Sequence, residues 1–238
     1  KIMEFKSFSS KGNVRKNNED NYLLRKDPCY IIVVADGMGG HRAGDVASQM
    51  AVDIIKKHEF NFENNIFNEI QDLINLINNK IIKKGEENPE YKGMGTTLSL
   101  ALIYEKKLYI GHVGDSRIYL FRDNKLNKIT TDDSLVNELI ESGRLNPNEA
   151  FDHPQKHILT QALGIDKDIN IETQEVELKE EDLLLFCTDG LTDMIREEKI
   201  GEMISNHSDL NTLTQKLGKK ALENGGSDNI TLITGIIN

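Results

Sequence analysis

Three apolar segments in the middle of the chain, residues 97–104, 107–113 and 117–122, follow one another with only short polar or glycine-containing connections. A parallel pairing needs a crossover of about a dozen residues or more, so these segments form an antiparallel meander. Further strand-like runs at 3–9, 21–25, 30–35, 170–175, 183–187 and 230–237 are punctuated by turn residues such as Asp27-Pro28. Helical periodicity occurs in two consecutive places: Val46, Met50 and Ile54 with Ala51 and Ile55, then Ile66, Ile70, Leu73, Ile74, Ile77 and Ile81. Later, Asp209 opens a helix carrying Leu210, Leu213, Leu217 and Ala221, which Gly225-Gly226 closes. Residues 132–141 carry Leu135, Val136, Leu139 and Ile140 at helical spacing. Clustered strands with paired helices specify an α+β fold, two antiparallel sheets covered by helices, and disfavour a doubly wound parallel sheet.

Composition narrows the function classes. No repeat, low-complexity tract or linker interrupts the 238 residues, which reads as one domain. Thirty-nine acidic against 29 basic residues leave a formal charge of −10, which argues against nucleic acid as a partner. The longest apolar runs, 30–35 and 183–187, fall far short of the roughly 18 residues a membrane span needs. Residues 1–10 have no signal-peptide core. The expectation is a cytoplasmic protein, with no membrane partner, in which Cys29 and Cys187 are reduced and buried.

The informative feature is where certain aspartates fall. The run at 31–35 ends in Asp36-Gly37, the run at 183–187 leads one residue later into Asp189-Gly190, and Asp228-Asn229 immediately precedes the run at 230–233. With the last strand antiparallel to the other two, all three carboxylates emerge at one sheet edge. Asp115 in Gly114-Asp115-Ser116 falls near that edge, and Asp20 precedes a strand as Asp228 does. Each Asp-Gly taken alone is equally an ordinary turn signal. Together they would repel one another unless a cation lay between them, and all-oxygen donors select Mg²⁺ or Mn²⁺ over Zn²⁺. Asp36-Gly37-Met38-Gly39-Gly40-His41 is not a dinucleotide fingerprint, because Arg42 stands where the last glycine is required. Its glycines instead let backbone approach a metal, with the Gly37 carbonyl as a ligand. Cysteine-based phosphatase chemistry lacks its arginine, since Ala35 and Asp193 stand where it would follow Cys29 and Cys187, and no GxSxG elbow occurs.

Arg15 with Asn18-Glu19-Asp20, Ala35-Asp36-Gly37-Met38-Gly39-Gly40-His41, Gly93-Met94-Gly95-Thr96-Thr97, His112-Val113-Gly114-Asp115-Ser116-Arg117, Thr188-Asp189-Gly190-Leu191-Thr192-Asp193 and Ser227-Asp228-Asn229-Ile230-Thr231 occur in this order. The set resembles the metal-dependent serine/threonine protein phosphatases (type 2C, or PPM), in their short bacterial branch, over residues 9–236. That resemblance implies a four-layer α-β-β-α sandwich with a dinuclear metal centre at one end, and a single catalytic domain over 1–238 with a flap at about 134–159.

It also implies roles. Asp36 would bridge two Mg²⁺ or Mn²⁺ ions, with Gly37 offering its carbonyl, Asp189 and Asp228 holding the second ion, Asp20 binding through water, and Asp115 holding a third ion beside Thr160. Arg15, otherwise a solvated surface arginine, would bind phosphate as a planar fork. His41 would be the general acid. A metal-bridging water would hydrolyse phosphoserine and phosphothreonine in proteins, reversing a bacterial Ser/Thr kinase, and the enzyme would be a monomer. Asp193 is read as capping the helix that follows, with support of the Asp189 loop as the alternative. Where relatives carry Asp-His-Ser at the start of the flap, this chain has Asp132-Asp133-Ser134. A regulatory binding module without turnover would lack a metal ligand, and none is missing.

Overall fold

The computed structural model describes residues 3–40 and 43–238. In chain order the first elements are β1 (Glu4–Ser10), β2 (Asp20–Arg25), β3 (Tyr30–Met38), α1 (Ala43–Lys57), α2 (Ile66–Glu87), β4 (Gly95–Thr96), β5 (Leu98–Tyr104) and β6 (Lys107–Val113). There follow β7 (Arg117–Arg122), β8 (Lys125–Lys128), α3 (Leu135–Glu141), β9 (Glu172–Glu177), β10 (Leu183–Cys187), α4 (Asp189–Thr192), α5 (Glu197–Ser205), α6 (Leu210–Glu223) and β11 (Ile230–Ile236).

The strands form two antiparallel sheets, ordered β1-β11-β10-β7-β8 and β2-β3-β5-β6-β9, with β4 added beside β3. The uniform apolar runs are explained by burial on both faces. In β3, Ile31, Val33 and Ala35 join the core beneath α1 and α2, while Ile32 and Val34 join the core between the sheets. In β10, Leu183, Leu185 and Cys187 face α5 and α6, and Leu184 and Phe186 face the other sheet. Strands sandwiched in this way lose the alternation of a half-exposed strand. The layers are therefore helix, sheet, sheet, helix, with three cores, and the two free cysteines lie in different ones.

Local chemistry agrees with the layers. The α2 stripe Ile66, Ile70, Leu73, Ile74, Ile77 and Ile81 is buried against the sheet, each side chain contributing about 1.5–3 kcal/mol. Asn65 caps this helix by accepting from the amides of Phe67 and Asn68. The α6 helix is capped by Asp209, which accepts from Thr212 N–H at 2.8 Å, and ends before Gly225 and Gly226, both at positive φ.

Several boundaries differ from the sequence reading. The strand expected at 170–175 is shifted to β9, because its register is set by pairing His112 with Glu172 and Lys107 with Glu177. The helix expected from 132 starts at Leu135. Ser134 is its cap, and Asp132 is instead held by Arg117 and Lys128. β4, β8 and α4 were not anticipated, and α5 was expected only as an unbounded helix after Asp193. β8 closes a two-residue hairpin through Asp123 and Asn124, both at positive φ.

Candidate metal centre

Asp20 opens β2, Asp36 lies near the end of β3, Asp115 sits in the β6–β7 turn, and Asp189 follows β10 while Asp228 precedes β11. Since β2 and β3 belong to one sheet and β7, β10 and β11 to the other, the carboxylates gather at one end of the sandwich. They do not lie along the edge of a single sheet, as the strand pattern suggested.

Asp20 and Asp36 are directly paired across β2 and β3. The Thr188 hydroxyl, fully buried, donates to Asp20 Oδ2 at 2.9 Å. The backbone of Asp36 is held by the β4–β5 threonines. Its N–H donates to Thr97 Oγ1 at 2.9 Å, and its carbonyl accepts from Thr96 Oγ1 at 3.0 Å and Thr97 N–H at 2.9 Å. Gly37 must be glycine for steric reasons, because a Cβ there would lie 2.1 Å from the Gly44 carbonyl oxygen and 2.7 Å from that of Glu19. α1 can begin this close to the strand end only without a side chain at Gly37.

The loop carrying Arg15 is fastened from the opposite sheet. Asn229, 4% exposed, accepts from Glu19 N–H at 2.8 Å, and its amide donates to the carbonyls of Lys11 at 3.0 Å and Asn17 at 2.8 Å. Arg15 itself is half exposed and donates from Nη2 to Asp228 Oδ2 at 2.7 Å. Burial lowers the Arg15 pKa but is outweighed by Asp228, so the net shift is upward and the group stays a cation.

The electrostatics are those of a site built for divalent cations. Burial first, then the neighbouring carboxylates Asp20, Asp189, Asp115 and Asp228, push Asp36 well above the usual carboxylate range. Burial and the nearby Asp189 and Asp228, partly offset by the Thr231 and Thr188 hydroxyls, raise Asp20 to about 7. Burial with Asp193 and Asp228 raises Asp189 to about 6. Asp115 is raised well above its usual range by burial, Asp189 and Asp132. Like charges this close cannot all ionise without a counter-charge. Among the described residues, Asp20 Oδ1 and Asp189 Oδ1 are buried without a hydrogen-bond partner. Two orphaned carboxylate oxygens inside an oxygen-only donor set fit hard cations such as Mg²⁺ and Mn²⁺.

Beside Asp115 and Asp189 opens a cavity of about 260 Å³, walled by Arg117 and Asp193 and by Val136 and Phe151 of segment 134–159. That segment holds α3 and a 3₁₀ turn, Pro147–Asp152. It is clamped to the α4–α5 region by Lys156–Asp193 at 3.2 Å, His157–Asp193 at 2.9 Å and Arg196–Asp152 at 2.6 Å. The Arg196 guanidinium also stacks 4.1 Å over Phe151.

Asp36, Gly37, Asp189, Asp228, Asp20, Asp115 and Arg15 thus meet in one place, whereas His41 lies outside the described residues. Asp193 does not cap α5. It is the C-cap residue of α4 and its carboxylate takes the Lys156 and His157 pairs, while Arg196 precedes α5 without a side-chain cap. Asn229 and Thr188 went unassigned in the sequence, and for Thr96-Thr97 the sequence offers a turn entering a strand but not the grip on Asp36. For Thr188 and Asn229 the only signal was a hydroxyl or amide adjoining a key aspartate.

Residues 10–224 match the family described as Protein phosphatase 2C. Over 232 residues the chain is 38% identical to the serine/threonine phosphatase Stp of Listeria monocytogenes serotype 4b (strain F2365), covering 94% of this chain and 92% of that protein. The crystal structure of serine/threonine phosphatase Stp1 from Staphylococcus aureus matches with a TM-score of 0.94 and 35% identity, over 100% of this chain and 96% of that one. The catalytic domain of the serine threonine protein phosphatase PstP, solved in complex with two manganese ions, matches with a TM-score of 0.86 and 31% identity, over 98% of this chain and 97% of that one. With the sandwich, the gathered aspartates and these likenesses together, the chain belongs to the protein phosphatase 2C family and is a protein-serine/threonine phosphatase.

Proposed function

We propose that Asp36, the Gly37 carbonyl, Asp189 and Asp228, with Asp20 through water, hold two Mg²⁺ or Mn²⁺ ions, and that Asp115 holds a third. The observation that carries this reading is the pair of orphaned buried oxygens, Asp20 Oδ1 and Asp189 Oδ1, within a cluster of five carboxylates. When bound, divalent cations at such a site supply an activated water and neutralise charge on the phosphoryl oxygens.

The chain's own groups do the rest. Asp36, fixed by Thr96 and Thr97, keeps its carboxylate at the end of β3, and Thr188 holds Asp20 beside it. Arg15 is half exposed on a loop that Asn229 anchors, so its planar fork can leave Asp228 and grip two phosphoryl oxygens. In the reaction, a water oxygen bonds to phosphorus, the ester P–O bond breaks, and the departing serine or threonine oxygen takes a proton. His41 is the proposed donor of that proton.

The substrates are phosphoserine and phosphothreonine proteins, on which the enzyme reverses a bacterial Ser/Thr kinase, and the chain works as one catalytic domain over 1–238 with 134–159 as its flap. No helix among the described residues is long and apolar enough to cross a membrane. We place the enzyme in the cytoplasm, as a monomer that light scattering would register at one chain mass. The decisive test is hydrolysis of a phosphothreonine peptide with Mn²⁺ and its loss with chelator. Full turnover by Asp36→Ala or Asp189→Ala protein would refute the site.

A further inference from the structure

Gly114, the residue before Asp115, has φ +105°, and a Cβ there would lie 2.7 Å from Cβ of Thr97, the threonine that holds Asp36. This turn is pinned from outside through both backbone polar groups of Gly114. Its N–H donates to Asp133 Oδ2 at 2.8 Å, and its carbonyl accepts the Asp133 N–H at 2.8 Å and the buried His112 Nε2 at 3.0 Å. The Asp133 carboxylate also accepts from Gln161 Nε2 at 2.9 Å, and its carbonyl accepts Thr160 N–H at 2.9 Å. Gln161 is in turn locked to Asn170, donating to its carbonyl at 2.8 Å and accepting its N–H at 2.6 Å. Asp133 therefore joins three things: the turn that presents Asp115, the first leg of segment 134–159, and the leg by which the chain returns. This is the position at which the chain carries a carboxylate between Asp132 and Ser134.

We infer that Asp133 is a positioning residue, which sets Asp115 for cation binding by gripping the amide of the residue before it and fixing that turn to both legs of the flap. The inference rests on reading Asp115 as the ligand of a third cation. Partners that orient a metal ligand typically control affinity by about 10–100-fold, and Asp133 orients Asp115 from one residue back, through the Gly114 backbone. Asp133 hydrogen-bonds neither the Asp20–Asp36 pair nor Asp228, so its influence falls first on the Asp115 site.

The test is Mn²⁺ titration of chelator-stripped protein by isothermal calorimetry, without substrate. Asp115→Ala is expected to remove the weakest Mn²⁺ event. Asp133→Ala is expected to weaken that event about tenfold or more while leaving the two tighter events in place. Asp133→Asn, which keeps an oxygen for the Gly114 amide, should recover most of the loss. An Asp133→Ala isotherm like wild type, equal weakening of every event, or an asparagine variant no better than alanine would overturn the inference. If Asp115→Ala keeps all events, the third-cation reading itself fails and takes the inference with it. A wild-type measurement guards against a variant that does not fold. By reciprocity of coupling, filling the weakest site should slow hydrogen exchange at the Gly114 amide by the same factor of about ten, and unchanged exchange there would overturn the role of Asp133.

Discussion

Asp20 and Asp36 stand opposite each other in the β2–β3 register, two acidic side chains in a position where a sheet normally places complementary partners. Like charges directly across a strand pair are destabilising. The local repulsion is therefore a cost carried by the fold, and removing it should be visible.

With chelator present at pH 8, Asp36→Asn protein should melt at a higher temperature than wild type, since one of five mutually repelling carboxyls has been neutralised. The same variant should lose about a thousandfold or more in turnover of a phosphothreonine peptide with Mn²⁺, because several kcal/mol of cation-borne stabilisation goes with it. A chelated variant less stable than wild type would mean that the cluster is held by contacts other than charge.

The pH dependence of the metal-free protein follows from the same cluster. Asp20 and Asp189 have pKa values raised from 3.8 to about 7 and about 6 in the folded state. The folded protein then binds more protons than the unfolded chain between about pH 4 and pH 7, so stability falls as pH rises through that window. Melting curves with chelator should drop from pH 5 to pH 7.5, and saturating Mn²⁺ should flatten or reverse the slope. A rising slope with chelator would contradict the assigned shifts.

Arg15→Lys should keep the positive charge but lose the fork. Because Arg15 lies at the exposed side of the site, 52% accessible, the fold should be unaffected. The expected result is a fall in kcat/KM of about 10–100-fold, from loss of about 1.5–3 kcal/mol of charge-assisted hydrogen bonding. Steady-state kinetics on a phosphopeptide, with a melting curve as control, measures it. Wild-type kinetics in the lysine variant would remove Arg15 from phosphate binding.

Asn229→Ala should act on stability and on catalysis together. It strands the Glu19 amide and the carbonyls of Lys11 and Asn17, all formerly satisfied by one buried side chain. At about 1–3 kcal/mol for an unsatisfied buried group, partly recovered by water, a loss of about 2–4 kcal/mol is expected. That corresponds to a melting point lower by roughly 4–16 °C at this size. KM should rise as well, since the loop bearing Arg15 is released; a lower melting point with unchanged KM would separate that loop from substrate binding.

How much of this was legible in the residues depends on whether a feature is written locally. The strands β3 and β10 could be read because burial on both faces leaves an unbroken apolar run, and the Asp-Gly pairs marked where they end. β8, with the sequence Lys125-Leu126-Asn127-Lys128, has no such pattern. It is a short edge strand defined by its partner β7 and by the Asp123-Asn124 turn. α5 buries only Ile200 and Ile204, one contact per turn, too little periodicity to read. Asp193 was misread because a helix does follow it, yet its carboxylate is taken by Lys156 and His157, residues more than thirty positions earlier. The hydroxyl of Thr188 and the amide of Asn229 could not be assigned at all from sequence, since their partners come from the other sheet or from the loop at 11–19.

β1 pairs antiparallel with β11 along its whole length. Ser10 is matched with Ile230 near the aspartates, so Glu4 and Ile236 are matched at the far pole of the sandwich. The outer strand β1 thus runs from that far pole towards the aspartates, and β11 runs back along it. A circular cut or graft at the Glu4–Ile236 end of this pair would therefore sit a whole strand length away from the carboxylates.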